Sequence, residues 1–304
     1  MRMVVVGSVF VDVKGIPEGP FRPDGRNAGR VETVHGGVAR NVAEDLANAG
    51  GEPVFVGLAD ESGAGEDVIR HLREAGADTR FMRRVPGGMG TWLAVFDDRG
   101  EVAASVSRRP DLRPIADILE AQGEEIFRGA GSVLLELDLE EETVERVCAL
   151  ADKHGVPVFA CVSNMTIAAE RRAYLPRLAC LVCNREELGI LCPGPWEGLA
   201  PSALEARLPA VLGETGLPAL AVTLGADGAA WAEAGGGTGV CPALPAKVAD
   251  VTGAGDAFFA GMSLGLTEGL DMGGACAAGA RLAARVIEVT ESVVPPLPPE
   301  ERRI

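Results

Sequence analysis

The stretch DVTGAGDAFFAG, residues 250–261, sets three glycines, two acids and two phenylalanines directly before an apolar run. A helix opening near Gly255 leaves the amides of Gly253, Ala254, Gly255 and Asp256 unpaired in its first turn, where they can point at an anion. Glycines let a phosphate come close, the helix dipole adds attraction, and Asp256 supplies a carboxylate able to take a proton from an attacking hydroxyl. An anion hole beside a base suits phosphoryl transfer. A plainer alternative is that Thr252 or Asp250 caps the helix and the glycines make a tight turn. A dinucleotide fingerprint fails, because G-x-G-x-x-G needs glycine where Phe258 stands, and no G-x-x-x-x-G-K-[ST] loop occurs anywhere.

Outward from this loop, short apolar runs recur at 3–6, 53–58, 132–137, 156–161, 179–183 and 219–223. Such runs suit strands covered on both faces of a parallel sheet. Helical patterns at 141–154 and 202–212 lie between them, so strands and helices alternate, as in an α/β layered fold. Two segments break the rhythm. Residues 91–97 and 101–106 flank Asp98-Arg99-Gly100 and read as an antiparallel hairpin, while 9–34 carries too many glycines and prolines for a helix. Together they predict a small sheet outside the main one, with ordinary surface excursions as the alternative. Helices over 255–268 and 271–288 close the pattern, and the alanine and glycine density of 273–284 favours close helix packing.

The chain has 304 residues, long enough for one large core, with 47% apolar and 24% charged side chains, a composition of a folded globule. A net charge of −16 would repel a phosphate backbone and anionic lipid, which argues against nucleic acid and membrane partners. The apolar run in MRMVVVGSVF is too short for a signal peptide or span, and no segment reaches about 18 uninterrupted apolar residues, so the expected location is the cytoplasm. Seven scattered cysteines fit a reducing compartment. Cys180 and Cys183 in CLVC have metal-like spacing without a second pair, and read as core residues of a strand.

DVTGAGDAFFAG resembles the C-terminal signature of the ribokinase-like, or PfkB, carbohydrate kinases, and HGGVARNVAEDLANAG at 35–50 resembles their N-terminal signature. The resemblance extends in order along essentially the whole chain. It implies one domain over 1–304: a three-layer α/β/α sandwich with a mostly parallel central sheet, and a small β lid formed from about 9–34 and 88–110. It also implies ATP and Mg²⁺, with a sugar or nucleoside receiving the phosphoryl group on a primary hydroxyl and Asp256 as the base. The GSVFVD segment places Asp12 where the family contacts substrate hydroxyls, and Gly36, Gly37 and Asn41 match its other sugar-contacting positions. CNREELG puts Asn184 and Glu187 on the family's N-x-x-E motif, which organises magnesium and its waters; a capping box is the structural alternative, and both can hold together. VTLGADGAA marks Thr223 and Gly225 for ATP contact. Asp250 and Thr252 fall where ribokinases hold a monovalent cation, K⁺, although VTESVVPP is shorter than the ribokinase pattern and lacks its glycine. Asp138 and Asn164, at the ends of expected strands, are candidates for reading the substrate, with exposure in loops as the alternative. The lid of this family covers the sugar and often pairs with a second subunit, which makes a homodimer an expectation. RNAGRVETVHGGVARNVAEDLANAG and ESVVPPLP resemble pseudouridine kinases more than ribokinases or fructokinases, with ribokinase, fructokinase or adenosine kinase activity as the alternatives. A non-catalytic nucleotide or sugar sensor on the same fold is the alternative from another class.

Overall fold

The computed structural model describes residues 1–163 and 165–302. Its main sheet is built from β1 (Arg2–Val6), β4 (Glu52–Ala59), β5 (Asp78–Arg84), β8 (Ser132–Glu136), β9 (Val158–Cys161), β10 (Cys180–Asn184), β11 (Ala219–Thr223), β12 (Ala229–Glu233) and β13 (Thr238–Cys241). Their order is β13-β12-β11-β10-β9-β8-β1-β4-β5, parallel from β5 to β11 and antiparallel at the β12 and β13 edge. Alternation within each strand divides the interior into two cores. Met3 and Val5 pack with α1 (Val38–Asn48), α2 (Gly63–Ala75), α9 (Ala254–Thr267) and α10 (Met272–Val286). Val4 and Val6 pack with α3 (Pro114–Phe127), α4 (Glu141–His154), α6 (Arg185–Leu191), α7 (Pro201–Glu205) and α8 (Leu208–Thr215). The result is the three-layer sandwich expected of strands apolar on both faces. A short α5 (Met165–Glu170) precedes β10.

The expected helix over 202–212 is instead two pieces, α7 and α8, with Pro209 in the first turn of the second, where its missing amide costs nothing. Strands β5, β12 and β13 had no clear signature. DTRFMRR is an edge strand rich in charged residues, and the β12 to β13 hairpin is mostly alanine and glycine. Cys180 and Cys183 face opposite cores, which separates their thiols across the sheet, and all seven cysteines are buried and unpaired. The two long C-terminal helices approach closely, as their composition predicts. A Cβ on Gly261 would lie 2.7 Å from the Ala278 carbonyl oxygen, and one on Gly279 would lie 2.6 Å from that of Phe258.

Strand β1 bonds β4 on one side and β8 on the other, so the chain moves outward in one direction and then crosses back. The crevice at the carboxyl ends of β1 and β8 is therefore a topological switch point, where open α/β sheets take their ligands. Above it sits a second sheet, ordered β3-β2-β6-β7, from β2 (Phe10–Pro17), β3 (Gly29–Gly36), β6 (Gly90–Phe96) and β7 (Val102–Arg108). The early glycine-rich segment and the hairpin thus share one sheet, joined by parallel β2 and β6. Register puts Val34, Asp12, Trp92 and Ser107 in one row, and the neighbouring row Thr33, Val13, Leu93 and Val106 on the opposite face. Among the described residues no helix is long and apolar enough to cross a membrane.

Candidate active site

The tip of α9 is a bare turn. Gly253 is its N-cap residue at φ +84°, and no side chain caps the helix. A Cβ at Gly253 would overlap the Ser292 carbonyl oxygen, so both backbone angle and space demand glycine. At Gly255 no atom would lie within 4 Å of an added Cβ, which leaves open room at the tip. The capping alternative is overturned. Asp250 Oδ1 accepts instead from the Thr252 amide at 2.9 Å and hydroxyl at 2.8 Å, a local turn that leads into the glycines. Asp256, half-buried in the first turn, accepts a 2.6 Å hydrogen bond on Oδ2 from Asn41 Nδ2 of α1. Burial raises its pKa from 3.8 to about 6, against the pull of the Asn41 bond and then the Arg40 charge.

A cavity of about 680 Å³ opens beside this tip, lined by Ala254, Gly255, Asp256, Asn184, Glu187, Thr223 and Gly225. Both readings of Asn184 and Glu187 meet here. The Asn184 amide donates to Glu187 Oε2 at 2.7 Å and the Glu187 amide to Asn184 Oδ1 at 2.8 Å, a complete capping box at the start of α6. Glu187 Oε1 has no protein partner among the described residues, so a carboxylate oxygen remains for a hard cation or its water. Burial pushes Glu187 up to about 7, the Asn184 amide lowers it, and the nearby charge of Asp256 raises it again.

A second cavity of about 290 Å³ lies under the small sheet, lined by Asp12, Trp92, Gly37, Asn41, Arg109 and Asp256. Burial raises the Asp12 pKa, partly offset by the charges of Lys14 and Arg40. Gly37, at φ +98°, lines the cavity, and Gly36 does not: an added Cβ there would sit 2.5 Å from Asp12 Oδ2, so its bare α-carbon seats the Asp12 carboxylate. Asp138 is neither exposed nor on the wall. Fully buried, it holds Arg109 through Nη1 at 2.9 Å and accepts from the Ser163 amide and hydroxyl, which makes it a brace for Arg109. Asn164 lies outside the described residues.

Arg109 and Trp92 went unnoticed in the sequence because neither belongs to a motif. Glu136 is a third omission: it accepts from the Ser8 amide at 2.9 Å, the Ser8 hydroxyl at 3.2 Å and the Ala39 amide at 2.8 Å. Burial, and then the Asp138 charge, raise its pKa to about 8. It ties the end of β1 to the start of α1, from a position 128 residues beyond Ser8, a distance no local pattern reports.

Asp256 lines both cavities, with the amide tip of α9 at its side. An anion in the larger space and a hydroxyl in the smaller one would meet at this carboxylate, the geometry of group transfer between two bound molecules. The family model described as pfkB family carbohydrate kinase matches residues 1–298. A guanosine-inosine kinase of Exiguobacterium acetylicum is 31% identical over 299 residues, covering 97% of each chain. A pseudouridine kinase of Escherichia coli is 26% identical, over 88% of this chain and 84% of its own. The solved ribokinase of Arabidopsis thaliana, complexed with ribose and ATP, superposes with a TM-score of 0.83 at 25% identity, over 97% of this chain and 96% of the other.

Proposed function

The chain belongs to the pfkB family of carbohydrate kinases and is a phosphotransferase with an alcohol acceptor, and we propose that it moves the γ-phosphoryl group of ATP to a primary hydroxyl of a nucleoside. The observation that carries this reading is the position of Asp256, on the wall of both cavities and beside the amide tip of α9. In this role Asp256 takes the hydroxyl proton. The amides from Gly253 to Asp256 stabilise negative charge on the moving group, and Asp12, Gly37 and Asn41 orient the acceptor. Thr223 and Gly225 contact the donor nucleotide. Asn184 and Glu187 would hold Mg²⁺, directly or through water, and that ion would neutralise phosphate charge. The pairing of Asp250 with Thr252 serves the turn, and no potassium site is assigned to it.

Trp92 favours a nucleoside over a free sugar. It stands in the same sheet row as Asp12 and lines the same cavity, so a base stacked on the indole could bring its ribose to Asp12. Relatives named for guanosine, inosine and pseudouridine support the class. The reading as a non-catalytic sensor finds no support among relatives that are kinases.

The small sheet serves as a lid that excludes water from the transfer site. Its outer face carries Val31, Leu93 and Val106, which are 74%, 45% and 69% exposed, an apolar surface suited to a second copy of the chain. A cytoplasmic location completes the proposal. The decisive experiment is ADP release measured over guanosine, inosine, pseudouridine, adenosine, ribose and fructose. Turnover should be fastest with a nucleoside. A free sugar as the best acceptor would refute the nucleoside assignment, and ligand-induced thermal stabilisation without ADP would refute the kinase.

A further inference from the structure

Arg40 lies in the first turn of α1, 2% exposed, and touches the wall of neither cavity. Its Nη2 donates to the His35 carbonyl, and its Nε makes a longer 3.5 Å contact with the Gly36 carbonyl. The guanidinium thus grips the turn that carries Gly36 against Asp12 and Gly37 into the acceptor cavity. Nη1 donates to the buried Glu44 at 2.6 Å. The other Glu44 oxygen lies 2.9 Å from Nε2 of His71, whose ring meets His35 edge-on, and His35 in turn meets Asp67 at 3.1 Å. The next residue, Asn41, is the one that clamps Asp256.

The groups whose charges act on Asp256, or on which it acts, are Arg40, Asp45 of α1, Glu187 of α6 and Cys161 of β9. In that set Arg40 is the cation; of the other charged groups that line the smaller cavity with Asp256, Asp12 is an acid and Arg109 is paired with the buried Asp138. We propose that Arg40 is a positioning residue of the transfer site: it fixes the acceptor-binding turn at His35 and Gly36 and sets a buried positive charge on the turn of α1 whose next residue, Asn41, clamps Asp256. The role rests on the kinase reading given above. Burial alone drives the Asp256 carboxyl upward, and Arg40 opposes that rise, as it does for Asp12.

The test is the pH profile of kcat/KM for the acceptor, followed by ADP release, in wild type, R40K, R40M and the double variant R40M/E44Q. R40M alone leaves the buried Glu44 with His71 as its remaining partner, whereas the double variant removes both members of the Arg40–Glu44 pair. With Mg²⁺ kept saturating at every pH, so that Glu187 does not set the limb, wild type should lose activity on an acidic limb near pH 6, the value of Asp256. In R40M/E44Q that limb should move up by about one pH unit, because an adjacent opposite charge commonly lowers a carboxyl by about that much or more. R40K should keep the limb near its wild-type position and lose about tenfold in rate, since an ammonium cannot grip two carbonyls as the planar fork does. An acidic limb in R40M/E44Q that superposes on wild type overturns the proposal. So does a limb in R40K displaced as far as expected for the charge-free variant, and this result decides alone should the double variant fail to fold. Wild type that releases no ADP with any nucleoside or sugar overturns the kinase reading, and this proposal with it.

Discussion

Replacing Asp256 by asparagine separates chemistry from stability. The side chain keeps its shape and an oxygen for the Asn41 amide, but it can no longer take a proton. Turnover should fall by about 10² or more, the usual contribution of a positioned general base, while the acceptor KM changes little. Stability should move the other way. The pKa of Asp256 rises from 3.8 to about 6 on folding, so at neutral pH the folded chain carries a charge that its surroundings disfavour. At about 1.4 kcal/mol per pH unit, the ionised carboxylate costs the fold about 3 kcal/mol. Because the folded value is the higher one, the wild type is relatively most stable below pH 4 and loses that stability as pH rises through 6. The amide does not titrate. The stability advantage of D256N should therefore grow from near zero at pH 4 to as much as about 3 kcal/mol at pH 8, read by urea denaturation at both pH values. Wild-type turnover in D256N would refute the base assignment. A stability difference that ignores pH would refute the burial cost from which the magnitude follows.

Two further outcomes follow from the same geometry. Glu187 is held up to about 7 by burial, so it is protonated below that pH and a poorer partner for Mg²⁺. The Mg²⁺ concentration for half-maximal rate should be higher at pH 6 than at pH 8 in wild type, and raised without that pH dependence in E187Q; identical Mg²⁺ curves for the two proteins would dismiss the assignment. The two tip glycines should answer oppositely to alanine. G253A forces a Cβ into the Ser292 carbonyl at a positive φ and should cost about 2 kcal/mol in urea denaturation, whereas G255A meets open space, should leave stability within about 1 kcal/mol, and should slow turnover by placing a methyl where the anion approaches. Equal destabilisation by both would mean that the tip is packed and not an open anion site.

The parts of this protein legible from sequence are those with local periodicity or local chemistry. Met3 to Val6 alternates between two cores because a strand places successive side chains on opposite faces, so an apolar run already implies cover on both. The bare tip before α9 and the capping box of Asn184 and Glu187 each span a few consecutive residues, and their hydrogen bonds close within the same turn. Asp138 shows where such reading ends. A strand-end acid looks the same whether it meets substrate, water or an arginine, and only the folded chain brings Arg109 and Ser163 to it. Glu136 bridges β1 and α1 across more than a hundred residues for the same reason, and Gly36 is bare to seat Asp12, a neighbour only in the β2 to β3 ladder. A buried charge takes its partners, its pKa and its role from whatever surrounds it after collapse. Residue order therefore determined the layers, the bare helix tip and the acid in its first turn, while tertiary packing alone decided which acids line a cavity, which brace a neighbour, and that one carboxylate lines two cavities.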